Sequence, residues 1–492
     1  MGKRTVQMLG FDLGATCGRA VLGEFNGERI SYKEIYRFPN EPVRLNSNLY
    51  WDILRIWREM KKGIKKTLAE GVELSSIAVD TWGVDYGLVD KQGRLFSNPY
   101  HYRDQRTASV MSKVVEELGA DYLYGCTGIQ FLSFNTIFQL AADLMENKGI
   151  IDLTDKVLLM PDLFNYFLSG VQAAEYSIAT TTGLLNFRSK VWDQELLAKM
   201  GFPIEKLPPI IPPGTVLGPL TPELCCELGC KPIPVVAVAG HDTASALAAT
   251  PLKPGNAFIS SGTWSLMGME RDEPVVTPSS RKYNFTNEGG IDYSIRLLKN
   301  INGLWLIQEC QRIWQQDDPN LDFSSISNLA SKAKPFKSIV NSADQRFFAP
   351  LNMVEEVQQY CRETGQQIPE GIGEIARCIY EGIALEYRLI AEQIQIVTGE
   401  RLKGIHIVGG GSKDEFLSQL TADLLEVPVT TGPVGATIIG NLVVQLMSMG
   451  LIQNLKEARE VVKKSFQLKE YWPRQTKSWE KFYQAYLRLV EK

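Results

Sequence analysis

Histidine is scarce and cysteine uncommon in this chain: three and eight residues respectively among 492. Cys225, Cys226 and Cys230 crowd together in TPELCCELGC, but no histidine lies near them and no Cys-x-x-Cys pair occurs, which argues against zinc. Eight cysteines in so long a chain do not make a disulfide scaffold, so a reducing cytoplasm is the expected setting. Cys361 and Cys378, which bracket RETGQQIPEGIGEIAR, remain a pair able to meet in space. No uncharged apolar run approaches the ~20 residues that span a bilayer. MGKRTVQMLGFDLG runs into the first glycine turn with no apolar leader and cleavage site before it. No basic block stands out from a formal net charge of −4 with 22% charged residues, which excludes a nucleic-acid arm or a membrane-binding face.

What the chain does have is two glycine turns, each between apolar strand-like runs and about half the chain apart. The first is Asp12-Leu13-Gly14-Ala15-Thr16-Cys17-Gly18-Arg19, and the second is Ser261-Gly262-Thr263-Trp264. Glycine admits unusual backbone conformations and lets N–H groups approach an anion, while Thr16 and Thr263 add hydroxyl donors. Either turn alone is equally an ordinary hairpin. As a pair they suggest a duplicated domain with a phosphate-gripping hairpin in each half and a nucleotide between the halves. Because the flanking segments read as returning strands, neither turn is a strand-to-helix nucleotide loop.

The rest of the pattern is α/β. Thr5 to Phe38 reads as a three-stranded meander, YWDILRIWREMKKGIKKTLAE as an amphipathic helix, and SSIAVDTWGVDYGLVD as a strand pair closing at Asp90 to Gly93. Tyr100 to Pro234 reads as an insertion, a candidate substrate lid. PVVAVAGHDTASALAA is a buried strand, a turn and a small-residue helix, and TPLKPG is the linker, dividing the chain into domains 1–249 and 250–492. RCIYEGIALEYRLIAEQIQIVTG is a long helix capped by Gly399. In GIHIVGGGSKDEFLSQL the turn Gly409 to Gly411 opens a helix whose N-terminus can meet an anion, or else is a flexible connection.

Asp242 follows a strongly apolar strand, where a carboxylate is costly unless paired or functional. It is a candidate catalytic base, with helix capping as the alternative. Asp12, before the first turn, is either a turn-former or a ligand for Mg²⁺, with Asp242 as its partner. Asp80 and Asp85 interrupt an apolar strand as sugar-binding carboxylates would, and Trp82 is placed to cover a sugar's apolar face or simply to pack in the core.

The ordered blocks FDLGAT, DTWGVD, YRDQRT, GIQFLSFNT, LLMPDLFNYFLSG, EYSIATTTGLLN, VAGHDTASA, SSGTWSLMG, TNEGG, LKNINGLWLIQE, HIVGGGS and GPVGATIIGN resemble the rhamnulokinase branch of the FGGY carbohydrate kinases over nearly the whole chain. The resemblance implies two actin-like (ribonuclease H-like) ATPase domains around a central cleft. It also implies Mg²⁺·ATP-dependent phosphorylation of L-rhamnulose at its C1 hydroxyl, in rhamnose breakdown. Carried over, Asp242 is the proton acceptor. ATP contacts Ala15 to Arg19, Thr263, Gln308 and Gly410, with Gly14, Gly262 and Gly409 completing the turns. The sugar contacts Gly83, His241, Asp242, Thr243 and Asn300, to which the strand argument adds Trp82 and Asp85. FNTIFQLAAD lacks the Lys and Trp of many FGGY kinases, which puts a glycerol- or xylulose-kinase reading in doubt. The alternatives are a kinase for another ketose (L-fuculose, D-xylulose or L-ribulose) and a non-kinase actin-like ATPase. The expected partners are a small ketose and ATP, in a monomer or weak homo-oligomer.

Overall fold

The computed structural model describes residues 5–348, 350–474 and 479–491. Residues 1–4, on which the expectation of no apolar leader partly rests, lie outside the described residues. Two compact units emerge: residues 1–251, 270–297 and 436–466 form the first, and 252–269, 298–435 and 467–492 the second. The main break falls at the TPLKPG segment. The chain also re-enters the first unit twice, which departs from a single cut at 249/250.

In the first unit the meander is present as β1 (Val6–Leu13), β2 (Cys17–Phe25) and β3 (Ile30–Pro39), all antiparallel, followed by α1 (Ile53–Ala69) and β4 (Leu74–Thr81). With β5 (Thr215–Pro219) and β6 (Pro234–Ala237) they make a mixed sheet in the order β5-β6-β4-β1-β2-β3. Pairs β1/β4 and β4/β6 are parallel, and β5/β6 is antiparallel. One face is closed by α1, whose Ile53, Ile56, Met60 and Ile64 recur at helical spacing and pack with Leu9, Phe11 and Leu13.

The other face is covered by α2 (Asp242–Ala248) and, from far along the chain, α6 (Ala436–Ser448). Only small residues allow this approach. A Cβ on Gly10 would meet Ile438 at 2.5 Å, and one on Gly440 would coincide with the Ser245 carbonyl. This packing returns residues 436–466 to the first unit.

Two expectations change here. SSIAVDTWGVDYGLVD is not a strand pair: both edges of β4 are taken by β1 and β6, so Tyr86–Val89 pairs instead with Lys156–Leu159. The insertion also ends early, because β5 lies inside it. As a half-exposed edge strand with Gly218 and Pro219, β5 lacks the alternation that marks a strand. The inserted residues build their own core around Phe138, Leu140, Tyr176, Ile178 and Leu196.

The second unit repeats the first one's plan. β7 (Asn256–Ser261) and β8 (Trp264–Arg271) form the second hairpin. After them come α3 (Trp305–Trp314), α4 (Gly371–Thr398), β9 (Gly404–Val408), α5 (Glu415–Leu425), β10 (Val429–Thr431) and β11 (Lys469–Tyr471). The order β8-β7-β9-β10-β11 runs antiparallel, parallel, parallel, antiparallel, the same sequence of pairings as β2-β1-β4-β6-β5. Each glycine hairpin occupies the corresponding place. Gly399 caps α4 in the left-handed conformation, its N–H reaching Gln395 O at 2.9 Å. Cys361 and Cys378 meet with sulfurs 3.9 Å apart, as free thiols. No helix among the described residues is long and apolar enough to cross a membrane.

Candidate active site

The carboxyl ends of the parallel strands β1, β4 and β6 bring three carboxylates together. Register places Asp12 beside Arg19 on β2 and beside Asp80 on β4. Arg19 donates to Asp12 Oδ2 from Nε at 2.9 Å and from Nη2 at 2.6 Å, leaving Oδ1 to other partners. Asp80 is fully buried, takes a 2.7 Å hydrogen bond from Asn441, and has no partner at Oδ1. Burial, then the charges of Asp12 and Asp242, push its pKa well above the usual carboxylate range.

Asp242 is the first residue of α2, and the capping position belongs to His241, which makes no side-chain cap bond. The capping alternative is therefore not realised. Burial raises the Asp242 pKa; His241 opposes that shift and the Asp12 charge adds to it. Thr243 Oγ1 donates to its Oδ1 at 3.0 Å.

The turn carrying these residues is fixed from below. Thr81 N donates to Gly240 O at 2.9 Å, Gly240 N to Glu175 Oε2 at 2.8 Å, and His241 N to Ser177 Oγ at 3.3 Å. His241 Nε2 lies 3.5 Å from Asp242 Oδ1 and 3.3 Å from where a Cβ on Gly83 would stand. His241, Asp242, Thr243 and Gly83, four predicted sugar residues, thus come together. Asn300 lies half-buried in the second unit.

Trp82 takes the core-packing alternative, and Asp85 is not placed as a sugar-binding carboxylate. Trp82 is buried with its ring 4.0 Å from that of Trp51. Asp85 is 1% exposed, and both its oxygens are engaged: Oδ2 by Trp51 (2.6 Å), Trp82 (3.0 Å) and Tyr102 N (3.1 Å), Oδ1 by Gln139 (2.8 Å). A carboxylate so surrounded anchors aromatic rings and has little left for a sugar hydroxyl. Burial pushes Asp85 up to about 7, against the pull of those donors. The native state then holds this proton to higher pH than the unfolded chain. Between about pH 4 and about 7 the group's contribution to stability falls as pH rises. In Asp85→Asn the urea midpoint, relative to that of the wild type, moves in the variant's favour across this window; parallel pH profiles would contradict it.

The hairpin glycines divide into two kinds. Gly18 is demanded by packing, since a Cβ there would run into the Phe38 ring. Gly409, at φ 85°, and Gly411 are likewise pressed against Ser261. Gly14, Gly262 and Gly410 are different: none has a left-handed φ, and the nearest atoms to an added Cβ are at 3.4 Å, at 3.6 Å and beyond 4 Å respectively. Unusual backbone conformation, expected for Gly14 and Gly262, is therefore not the reason for glycine there. Nothing in the protein's own packing requires it at these three positions either.

Asn40 braces the first turn by donating to Gly14 O at 2.8 Å, and Thr16 is exposed at its tip. Ala15 and Cys17 are half-buried beside it, with Cys17 Sγ 3.4 Å from Arg37 Nη1. In the second unit Leu304 N donates to Gly262 O at 2.9 Å, so α3 starts against the turn, and Thr263 Oγ1 reaches Gln308 Oε1 at 3.0 Å. The expectation for α5 is corrected: the Asp414 side chain accepts Leu417 N at 2.9 Å and occupies that helix N-terminus, so an anion there would meet a carboxylate.

No cluster of three or more His, Cys, Asp or Glu suited to a metal exists among the described residues. The donor set that is present suits a hard cation shared with a phosphate: Asp12 with one oxygen uncommitted and Asp242 next to it in charge. Glu175, Glu288 and Arg296 escaped sequence reasoning. The signal for Arg296 was available as a charge set between Ile295 and Leu297 in the apolar run IRLL.

Comparison with known proteins identifies the family. Residues 7–249 match the family model described as FGGY family of carbohydrate kinases, N-terminal domain, and residues 257–449 its C-terminal counterpart. A rhamnulokinase of Bacteroides thetaiotaomicron is 40% identical over 96% of this chain and 97% of its own. One from Pectobacterium atrosepticum is 42% identical over 94% and 92%. Among solved structures, a gluconate kinase from Lactobacillus acidophilus superposes with TM-score 0.81 at 18% identity, over 99% of this chain and 98% of that one, which shows a shared fold.

Proposed function

The chain belongs to the FGGY family of carbohydrate kinases, and from that premise we propose that it transfers the γ-phosphate of ATP to the C1 hydroxyl of L-rhamnulose, giving L-rhamnulose 1-phosphate and ADP. The observation that carries the reaction type is the Asp242 carboxylate just beyond the end of β6, not spent on capping its helix and with only its Oδ1 taken, by Thr243 and His241. The choice of sugar rests on the likeness to named rhamnulokinases over nearly the whole chain.

Asp242 accepts the C1 hydroxyl proton as that oxygen attacks the γ-phosphorus and the bond to the bridging oxygen of ADP breaks. Its raised pKa brings it toward the range in which a general base is effective. Phosphoryl transfer passes through a loose transition state, so holding the groups in line and neutralising charge matter more than base strength. His241, Thr243 and Gly83 hold the sugar beside the base. Asp12 and Asp242 would hold Mg²⁺, which would supply neutralisation of phosphate charge during the transfer.

Thr16, Thr263, Gln308 and the three glycines without a packing role serve ATP. Their open Cβ directions support close approach of a ligand to the backbone. Gly14→Ala and Gly410→Ala are expected to leave the melting temperature within a degree or two, about ±0.5 kcal/mol, while weakening ATP binding about 10-fold or more in calorimetric titration. Unchanged ATP affinity in both would detach these turns from the nucleotide.

The reading is tested by coupled ADP release with Mg²⁺·ATP and a panel of L-rhamnulose, L-fuculose, L-ribulose, D-xylulose, glycerol and no sugar. Strong preference for L-rhamnulose is the expected result. Preference for another ketose would move the specificity and keep the chemistry, and sugar-independent hydrolysis alone would overturn both.

A further inference from the structure

Behind His241 lies a buried ion pair that none of the steps above uses. Arg296 is fully buried; its Nε donates to Gly289 O at 2.9 Å, and Nη1 has no hydrogen-bond partner. Its Nη2 stands 3.2 Å from Glu288 Oε2 and also 3.2 Å from His241 Nδ1. Glu288 Oε2 is in turn 3.3 Å from the same Nδ1. Burial opposes ionisation of Glu288, but the Arg296 charge holds its pKa below the usual range, so the pair is charged.

The two neighbours make opposite demands on the ring. A guanidinium can only donate, so Arg296 requires a lone pair on Nδ1; a carboxylate can only accept, so Glu288 requires a proton there. One neutral imidazole cannot satisfy both. Of the contacts around Nδ1, the one from Nη2 has hydrogen-bond geometry, whereas Glu288 Oε2 makes no hydrogen bond to the ring or to the guanidinium and is compensated by the latter's charge at 3.2 Å. An Arg296 N–H turned on a protonated Nδ1 would be a further buried donor without an acceptor, beside an Nη1 that already lacks one.

We propose that Arg296, clamped by Glu288, is a positioning residue that holds His241 in the Nε2–H form, with the ring's donor turned to Asp242 and Gly83. Taken with the kinase reading, on which this last step rests, His241 donates to a sugar oxygen and does not compete with Asp242 for the substrate proton. The ring's protonation pattern itself does not depend on that reading.

The experiment is solid-state ¹⁵N spectroscopy of protein labelled at its three histidines, with His241 assigned by loss of its signals in His241→Asn. The wild-type ring is expected to carry its proton on Nε2. Arg296→Met should move the proton to Nδ1, facing Glu288, and raise the KM for sugar about 10–100-fold with the KM for ATP unchanged. Arg296→Lys, which keeps a donor, should retain the Nε2–H form. A wild-type ring protonated on Nδ1 overturns the proposal, as does Arg296→Met with an unaltered ring. Should the methionine variant not fold, the wild-type spectrum and the lysine variant still decide. Wild-type protein that phosphorylates no sugar of the panel would sink the kinase reading and leave the ring assignment standing.

Discussion

Asp242→Asn is expected to lower phosphoryl transfer by about 10²–10⁴-fold, the span typical of a lost general base, with ATP affinity changed by no more than a few-fold. The substitution is nearly isosteric. The helix does not lean on this side chain for its cap, because the N-cap position is His241, so geometry should survive. The variant should even melt somewhat higher. In the wild type three carboxylates share one sheet end, and those of Asp80 and Asp242 are driven up by burial and by neighbouring negative charge; an uncharged amide relieves that repulsion. A coupled ADP assay, a nucleotide titration and a thermal melt on the same preparation separate these effects. Near-normal turnover would remove Asp242 from the mechanism. Lost turnover together with a lower melting temperature would mean that the side chain's job is structural.

The residues that reasoning from sequence reached share one property: each breaks a local rule. Asp12 and Asp242 place charge at the ends of apolar strands, and the two hairpins repeat a pattern half a chain apart, so they stand out without any knowledge of neighbours. The paired topology of the two sheets follows from that repetition. What stayed hidden depends on contacts between distant segments. Glu288 and Arg296 matter because their side chains meet His241, and nothing near residue 290 says so. The apolar ATIIGNLVVQLMS marks a buried helix, but apolarity is non-directional and does not say which sheet it covers. Asp85 misled for the complementary reason. A carboxylate in an apolar strand signals a polar partner, and here the partners are two indoles, an amide and a backbone N–H rather than a ligand.

That same distant helix sets the second large effect. α6 crosses α2 so closely that a Cβ on Gly440 would coincide with the Ser245 carbonyl. Ser245 is the fourth residue of α2, and its Oγ donates to Ala239 O at 2.7 Å, tying the helix to the end of β6. A side chain at 440 therefore meets backbone at both ends of the contact, and neither helix can yield without breaking hydrogen bonds or shifting the sheet face beneath. Gly440→Val is expected to cost about 3 kcal/mol or more, at the upper end for overpacking, seen as a fall in the urea midpoint. In whatever fraction stays folded, α2 is displaced and carries Asp242 with it, so kcat should fall more than the KM for ATP rises, since misplacement of a reacting group by about 1 Å can cost 10²-fold. Gly450→Ala is the control for handling a glycine near the same helix. A Cβ there meets nothing within 4 Å, so only its φ of 68° is strained, and it should cost far less. Gly440→Val with a wild-type midpoint and wild-type kcat would show that the α2–α6 contact yields without resistance, and with it would go the account of why TASALAA is built from small residues.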